Sequence, residues 1–238
     1  NFCLPSVETL KGRFGFCTDH LKHVSFDLHK GEIFGLCGLS DSGIREVGQA
    51  AYGLLPVDSG EVALPTHNVS IGNPYQALQN RVAYVPKDRD GEALMMGASI
   101  QNNFCLPSVE TLKGRFGFLS PKKLYQASSE AREQFSVKST GVDQLMRALS
   151  GGNKQKVNLG RWLIKDLDVL IVDCPTRGVD IGVKAYIYQC LREAKEKGMA
   201  ILLITDELSE VLGMADTIAV MKDGEICKLL PRLSLIHI

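Results

Sequence analysis

The sequence predicts an α/β fold with a largely parallel sheet, because short apolar runs of strand length alternate with stretches of helical periodicity. The runs Ile33–Cys37, Asp168–Asp173 and Ala200–Thr205 have the length and continuity of buried strands. A polar, helical stretch between about Ile100 and Ala148 interrupts this alternation, as an inserted subdomain does. No apolar run approaches the roughly 20 residues needed to span a bilayer.

The first elements are predicted by alternation and turn residues. His23–Leu28 alternates apolar and polar side chains, which is typical of a half-buried strand. After the strand Ile33–Cys37, a glycine-rich loop, Gly38–Gly43 (the Gly38 loop), leads into a helix from Ile44 to about Leu54. Pro56–Gly60 is predicted as a turn and Arg81–Val85 as a further strand.

The second half continues the alternation. A helix is predicted over Asn153–Lys165, and another helix carries an apolar face and stops at Gly198. A short helix at Glu207–Met214 follows the strand Ala200–Thr205. Thr217–Met221 and Ile226–Leu230 are predicted as strands on either side of a Lys-Asp-Gly turn.

Composition excludes some classes of protein. The 238 residues include 27 basic and 27 acidic side chains, and this zero formal charge argues against a general nucleic-acid binder. The seven cysteines are odd in number and contain no C-x-x-C pair, so a reducing compartment is favoured over a disulfide scaffold. Residues 1–16 lack a basic start followed by an apolar stretch, so no secretory signal is predicted, and a cytosolic protein is expected.

Two segments are set apart from the functional interpretation. Residues 1–16 recur unchanged at 103–118 while nothing adjacent repeats, unlike genuine repeat units, which diverge and stack. The first copy is therefore interpreted as an artefactual duplicate, and the natural sequence is expected to start near Cys17. The tail 231–238, ending in LSLIHI, is interpreted as adapter-derived, an ordinary apolar tail being the alternative.

The motif Leu149–Lys156, LSGGNKQK, predicts an anion seat. Gly151 and Gly152 let backbone approach a ligand closely, and the helix that begins there offers free N–H groups and a positive dipole end. Ser150 adds a hydroxyl donor. Taken alone, the same residues would also serve as a plain helix cap.

About twenty residues later, an apolar strand ends in a carboxylate. Ligands bind at the carboxyl ends of strands in open α/β sheets, so Asp173 is predicted to hold Mg²⁺ through water. The turn Pro175–Asp180 follows directly. An isolated aspartate at a strand end is usually structural, but this order and spacing favour function.

These motifs together resemble an ABC ATPase. LSGGNKQKV, VLIVD-x-PTRGVDIGVKAYIY and ILLIT-x-ELSEVLGMAD are similar to the second nucleotide-binding half of the tandem ATPases that energise import of simple sugars such as ribose, galactose and xylose, or of nucleosides. The resemblance covers residues 17–230. It implies a P-loop NTPase core with a parallel sheet, an antiparallel β-subdomain and an inserted helical subdomain at about 97–150.

The resemblance also implies a pair of ATPase domains that bind ATP head to tail. Ser150, Gly151, Gly152 and Gln155 would contact the γ-phosphate side of the partner's nucleotide, and Asp180 would lie in the loop that crosses the interface. The implied partners are an N-terminal or paired ATPase half and membrane permease subunits, which would meet the surface near Lys87. The implied location is the cytoplasmic face of the cell membrane, with ATP and Mg²⁺ as cofactors.

The chain departs from the family pattern in its own phosphate loop. A working loop reads G-x-x-x-x-G-K-[ST], with the lysine on the phosphates and the hydroxyl on Mg²⁺. Gly38, Ser40 and Gly43 keep the loop, but Ile44 stands at the lysine position and Arg45 at the hydroxyl position. One step along a helix rotates a side chain by about 100°, so Arg45 does not replace the lysine.

Further departures fall on the same site. Lys87 replaces the family's glutamine, Cys174 replaces the acid that polarises the attacking water, and Asp206 replaces the switch histidine. Asp41 adds negative charge within the loop. Loss of a charge-assisted hydrogen bond costs roughly 1.5–3 kcal/mol, and loss of a general base on the order of 10²–10⁴ in rate. The domain's own P-loop is therefore expected to be inactive.

The sequence predicts a catalytically degenerate ATPase half that contributes the loop around Ser150 (Leu149–Asn153, the Ser150 loop) to a partner's ATP site. The alternatives are a conventional ATP-hydrolysing ABC ATPase and a non-functional chimeric fragment. An ABC protein acting on ribosomes or in DNA repair is disfavoured by the neutral charge.

Overall fold

The computed structural model describes residues 10–18 and 21–231, which form two compact units. The sheet unit is drawn from residues up to Tyr84, from Leu167–Cys174 and from Tyr188 onward. The helical unit comprises Val85–Asp166 and Pro175–Ile187. The predicted helical subdomain at about 97–150 falls within this second unit, and the predicted domain boundaries remain predictions.

The strands are β1 (Leu10–Thr18), β2 (Leu21–His29), β3 (Ile33–Gly38), β4 (Ser59–Leu64), β5 (Val69–Ser70), β6 (Val82–Val85), β7 (Val169–Asp173), β8 (Ala200–Thr205), β9 (Thr217–Lys222) and β10 (Glu225–Pro231). The α-helices are α1 (Ile44–Ala51), α2 (Pro74–Gln79), α3 (Ile100–Cys105), α4 (Val109–Leu112), α5 (Pro121–Gln134), α6 (Gly151–Leu163), α7 (Ile181–Glu196) and α8 (Leu208–Met214). Short 3₁₀ turns occupy Leu106–Ser108 and Met146–Ala148, and a π turn occupies Arg89–Ala93.

A six-stranded sheet in the order β10-β9-β3-β8-β7-β6 forms the centre of the sheet unit. Strand β3 pairs in parallel with β8 and β9, and β7 pairs in parallel with β8, whereas β10 runs antiparallel to β9. Every residue of β7 and β8 is buried, as expected for strands covered on both faces. The predicted α/β fold with a largely parallel sheet is therefore confirmed.

A second sheet, in the order β2-β1-β4-β5, is antiparallel throughout. Three phenylalanines connect it to the core: Phe14 and Phe34 each stack on Phe26 with ring centroids 4.7 Å apart. Strands β4 and β5 and helix α2 were not predicted from the sequence. Helix α2 carries a recognisable start signal, because Asn73 caps it and Pro74 opens it.

The repeated segment adopts two conformations. Residues 10–16 and 112–118 have the same sequence, yet the first copy lies in β1 and the second forms the end of α4 and a turn closed by the Lys113–Leu119 bridge. Phe14 is 1% exposed, whereas its counterpart Phe116 is 82% exposed. Residues 1–9 and 232–238 lie outside the described residues, and the interpretation of 1–16 as a duplicate and of 231–238 as adapter-derived remains a prediction.

No helix among residues 10–18 and 21–231 is both long and apolar enough to cross a bilayer.

Candidate functional site

The Gly38 loop connects β3 to α1, which is the place of a phosphate loop between a strand and a helix. Gly43 directly precedes α1 and has φ +93°. Residues with a side chain rarely adopt this backbone conformation. A Cβ on Gly38 would lie 2.3 Å from the Ser42 hydroxyl, so the chain here is tightly folded on itself. Ser40 and Asp41 are exposed at the tip of the loop.

The first two residues of α1 point in different directions, as helical geometry predicts. Ile44 is 3% exposed and belongs to the hydrophobic core of the sheet unit. Arg45 instead places its Nε atom 3.6 Å from Oδ2 of Asp173, at the end of β7. The position at which a lysine would reach the phosphates is therefore occupied by a core side chain.

Asp173 is 2% exposed, and two side chains of the sheet unit are among its contacts. Besides Arg45, the Tyr84 hydroxyl donates a hydrogen bond to Asp173 Oδ2 at 3.3 Å. Burial, followed by the negative charge of Asp173, raises the pKa of Tyr84 above its usual range, so the hydroxyl keeps its proton and remains a donor. Tyr84 was missed as a site residue, although it lies within the strand predicted at Arg81–Val85.

Cys174 and Asp206 follow the adjacent strands β7 and β8. Cys174 is 5% exposed and has φ +47°, and its amide donates to the carbonyl of Ile204. Asp206 is exposed and accepts a hydrogen bond from the Ser40 hydroxyl at 3.3 Å. Asp206 thus lies beside the Gly38 loop, and Cys174 directly follows Asp173, at the carboxyl ends of neighbouring strands. The roles assigned to both residues remain predictions.

The Ser150 loop (Leu149–Asn153) begins α6 in the helical unit. The Ser150 side chain caps the helix, accepting from the Asn153 backbone N–H at 3.4 Å and from its side-chain amide at 2.9 Å. A Cβ on Gly152 would lie 2.6 Å from Val183 Cγ2. A Cβ on Gly151 would lie 3.0 Å from the end of the Arg89 side chain and at an ordinary contact distance, 3.5 Å, from the Gly178 carbonyl oxygen. Gly152 is thus required by packing, and Gly151 is not.

An open cavity of about 270 Å³ borders the Ser150 loop within the helical unit. Besides Ser150, Gly152 and Asn153, its lining includes two cations, Lys138 and Lys156, and the carboxylate of Asp180. Lys156 donates to the Ser136 carbonyl and lies over the Tyr186 ring. Asn153 and Lys156 belong to the motif that predicted an anion seat, although no role was assigned to them. Lys138 was not predicted, because a lone lysine carries no sequence signal for a site.

Gln155 and Asp180 have contacts within the helical unit. The Gln155 side chain is buried and donates to the Pro175 carbonyl at 2.6 Å, which ties α6 to the turn before α7. Asp180 accepts from the amides of Gly182 and Val183 and so caps α7. Lys87 is half-buried in the loop after β6. Contacts of these residues with a partner or a phosphate remain predictions.

Comparison with known proteins connects both loops to one family. The family model described as ABC transporter matches residues 21–177. The chain is 38% identical over 223 residues to a putative ribose/galactose/methyl galactoside import ATP-binding protein of Agrobacterium fabrum, covering 94% of this chain and 43% of that protein. It is 39% identical over 222 residues to the ribose import ATP-binding protein RbsA of Lactococcus lactis, covering 91% and 45%. The chain therefore spans less than half the length of these curated relatives.

Solved structures agree on the fold. A nucleotide-free ATP-binding cassette from an ABC transporter superposes with a TM-score of 0.76 at 21% identity, covering 95% of this chain and 94% of the other. A dimeric bacterial ABC transporter cassette superposes with a TM-score of 0.77 at 20% identity, covering 94% and 97%. At these identities the likeness concerns the fold alone.

Proposed function

The chain belongs to the ABC transporter family, and from this premise we propose that it is the second, catalytically degenerate ATPase half of an importer for simple sugars or nucleosides. In this proposal, residues 17–230 pair with an intact ATPase half, and the pair is peripheral to the membrane and drives permease subunits from its cytoplasmic face. The names of the ribose and galactose import relatives support the substrate class.

The observation that carries the proposal is the burial of Ile44. The first helical residue after the Gly38 loop is 3% exposed and lies in the core, so the loop offers no lysine to a β- or γ-phosphate. Cys174, at the position of the catalytic acid, adds a second loss, because a thiol near neutral pH is mostly protonated and accepts a proton poorly. Both substitutions act on the chain's own ATP site.

The Ser150 loop supports the other half of the proposal. It keeps the hydroxyl, the two glycines and the start of α6, and it borders a cavity with two lysines. Free N–H groups at a helix start, together with nearby cations, favour a phosphate. We propose that Ser150, Gly151 and Gly152 bind the γ-phosphate held by the partner, with Gln155 supporting the loop and Asp180 at the interface.

The proposal is tested by ATP turnover of the chain alone and mixed with a separately expressed ATPase half whose phosphate loop reads G-x-x-x-x-G-K-[ST]. The chain alone should show negligible turnover, and the mixture should show turnover that depends on this chain. In the mixture, Ser150→Ala should lower the rate by on the order of 10²-fold, as loss of one positioned donor does.

The matched control is Ser99→Ala. Ser99 caps α3 in the same unit, accepting from the Asn102 N–H at 3.2 Å, so its loss has a similar cost for folding and none for the proposed phosphate contact. Equal losses for the two variants, or turnover by the chain alone that Gly43→Val abolishes, would contradict the proposal.

A further inference from the structure

The carboxyl end of β7 is where an ATPase of this fold would hold Mg²⁺. That ion demands near-octahedral oxygen ligands and takes them from one or two carboxylates, a loop hydroxyl, the phosphates and several waters. In the sheet unit of this chain the loop hydroxyl is missing, because Arg45 stands at its position, and Asp173 supplies the carboxylate. The residues present do not fit the ion.

The remaining carboxylate already has a cation. Arg45 Nε lies 3.6 Å from Asp173 Oδ2, and the Tyr84 hydroxyl approaches the same oxygen at 3.3 Å. Residues 10–18 and 21–231 contain no cluster of three or more His, Cys, Asp or Glu side chains suited to a metal. A divalent ion at Asp173 would therefore have to displace a guanidinium or stand beside it, with like charges in close contact at a buried site.

We propose that the guanidinium of Arg45 takes the place of the divalent cation at this chain's own phosphate loop. One positive charge neutralises the buried carboxylate, so Asp173 neither needs nor accepts Mg²⁺. A nucleoside phosphate that enters the Gly38 loop would accordingly gain nothing from the metal. This inference deepens the proposed function, on which it rests, by giving the degenerate site a fixed internal cation.

The test is uptake of Mn²⁺, an EPR-visible substitute for Mg²⁺, by the purified full chain. In the wild type no ion should bind at Asp173, so the EPR signal of free Mn²⁺ should stay unchanged. Arg45→Thr restores a hydroxyl and frees the carboxylate, so this variant should take up one ion per chain. Adding Asp173→Asn to that variant should remove the uptake. Arg115→Thr, which removes an exposed guanidinium, is the matched control and should behave as the wild type does.

A second readout is the thermal midpoint. At about a hundredfold excess of Mn²⁺ over its Kd, binding should raise the midpoint of Arg45→Thr by roughly 5–10 °C, and the midpoint of the wild type should not move. The inference would be overturned if the wild type bound Mn²⁺ and Asp173→Asn abolished that binding. It would also be overturned if Arg45→Thr folded but took up no Mn²⁺. Because these measurements need neither a partner nor turnover, they fail independently of the Ser150→Ala experiment.

Discussion

Arg45 and Asp173 form an ion pair of 3.6 Å across the site where an active ATPase would hold its metal. The carboxylate is 2% exposed, whereas the Arg45 side chain is 36% exposed. A charge this deeply buried is tolerated only with a partner, so Arg45 also stabilises the strand end on which Asp173 lies. The same residue that removes the loop hydroxyl thus supplies the charge that Asp173 requires.

Replacing Arg45 with alanine should destabilise the chain by about 1–3 kcal/mol. Removing one partner of a fully buried ion pair costs about 3–5 kcal/mol, and the partial exposure of Arg45 lowers this expectation. The measurement is the free energy of unfolding in urea. The double variant Arg45→Ala/Asp173→Asn should recover part of the loss, because the carboxylate then carries no charge. Purely additive effects would contradict the pairing.

The repeated segment offers a matched pair for core packing. Phe14→Ala should cost about 3–5 kcal/mol, because the ring is 1% exposed and stacks on Phe26. Phe116→Ala changes the same side chain within the same sequence, but its ring is 82% exposed, so the change should lie within about 0.5 kcal/mol. Urea unfolding of both variants checks this, and a similar cost for both would show that β1 does not form as described.

The repeated segment shows which strands can be predicted from local sequence and which cannot. Strands β3, β7 and β8 were predicted almost to the residue, because continuous apolar runs of that length are stable only inside a sheet. Strand β1 was not predicted, because residues 1–16 were set apart as a duplicate of 103–118. The identical residues 112–118 form a turn, whereas residues 10–16 pair with β2 and β4, so the same local sequence is compatible with both conformations. Tertiary context overrides local preference there.

The candidate site likewise contains features that were predicted from the sequence and features that were not. The family resemblance implied that Asp206 takes the switch position, and the Ser40 hydroxyl of the Gly38 loop donates to its carboxylate. The role of Asp206 remains a prediction. The positions of Tyr84 and Lys138 were not predicted, because each depends on contacts between elements distant in sequence. The helical step that separates Ile44 from Arg45 predicted that they would face differently, but not that Arg45 would meet Asp173.

Asp90 should make stability depend on pH in the acid range. Burial alone would raise the pKa of this carboxyl, but hydrogen bonds from Lys154 and Arg89, at 3.0 Å each, hold it below its usual value. Because the pKa of Asp90 is lower in the folded state than its ordinary value of 3.8, the charged carboxyl stabilises the fold above pH 3.8. This stabilisation is lost as the pH falls from 3.8 through the pKa of the folded state. Wild type should therefore be more stable than Asp90→Asn at pH 6, and this difference should narrow as the pH falls below 3.8.

The measurement for Asp90 is the urea midpoint of both proteins at each pH. Asp143→Asn is the matched control, because it removes an exposed carboxylate in the same unit and should show no comparable gap. A difference between wild type and Asp90→Asn that stays constant from pH 6 to pH 3 would mean that the contacts with Lys154 and Arg89 do not favour the charged form.

The two glycines of the Ser150 loop should separate folding from function. A methyl on Gly152 would lie 2.6 Å from Val183 Cγ2, a stiff β-branched side chain, so Gly152→Ala should lose about 1–3 kcal/mol of stability. The one close neighbour of a methyl on Gly151 among its three nearest atoms is the flexible end of Arg89 at 3.0 Å, the Gly178 carbonyl being at an ordinary 3.5 Å. Because alanine also favours a helix, Gly151→Ala should fold at least as well as the wild type. If the loop binds a partner's phosphate, the added methyl at Gly151 should still lower turnover of the mixed pair. A stable Gly151→Ala variant with full turnover would mean that this backbone does not approach the nucleotide.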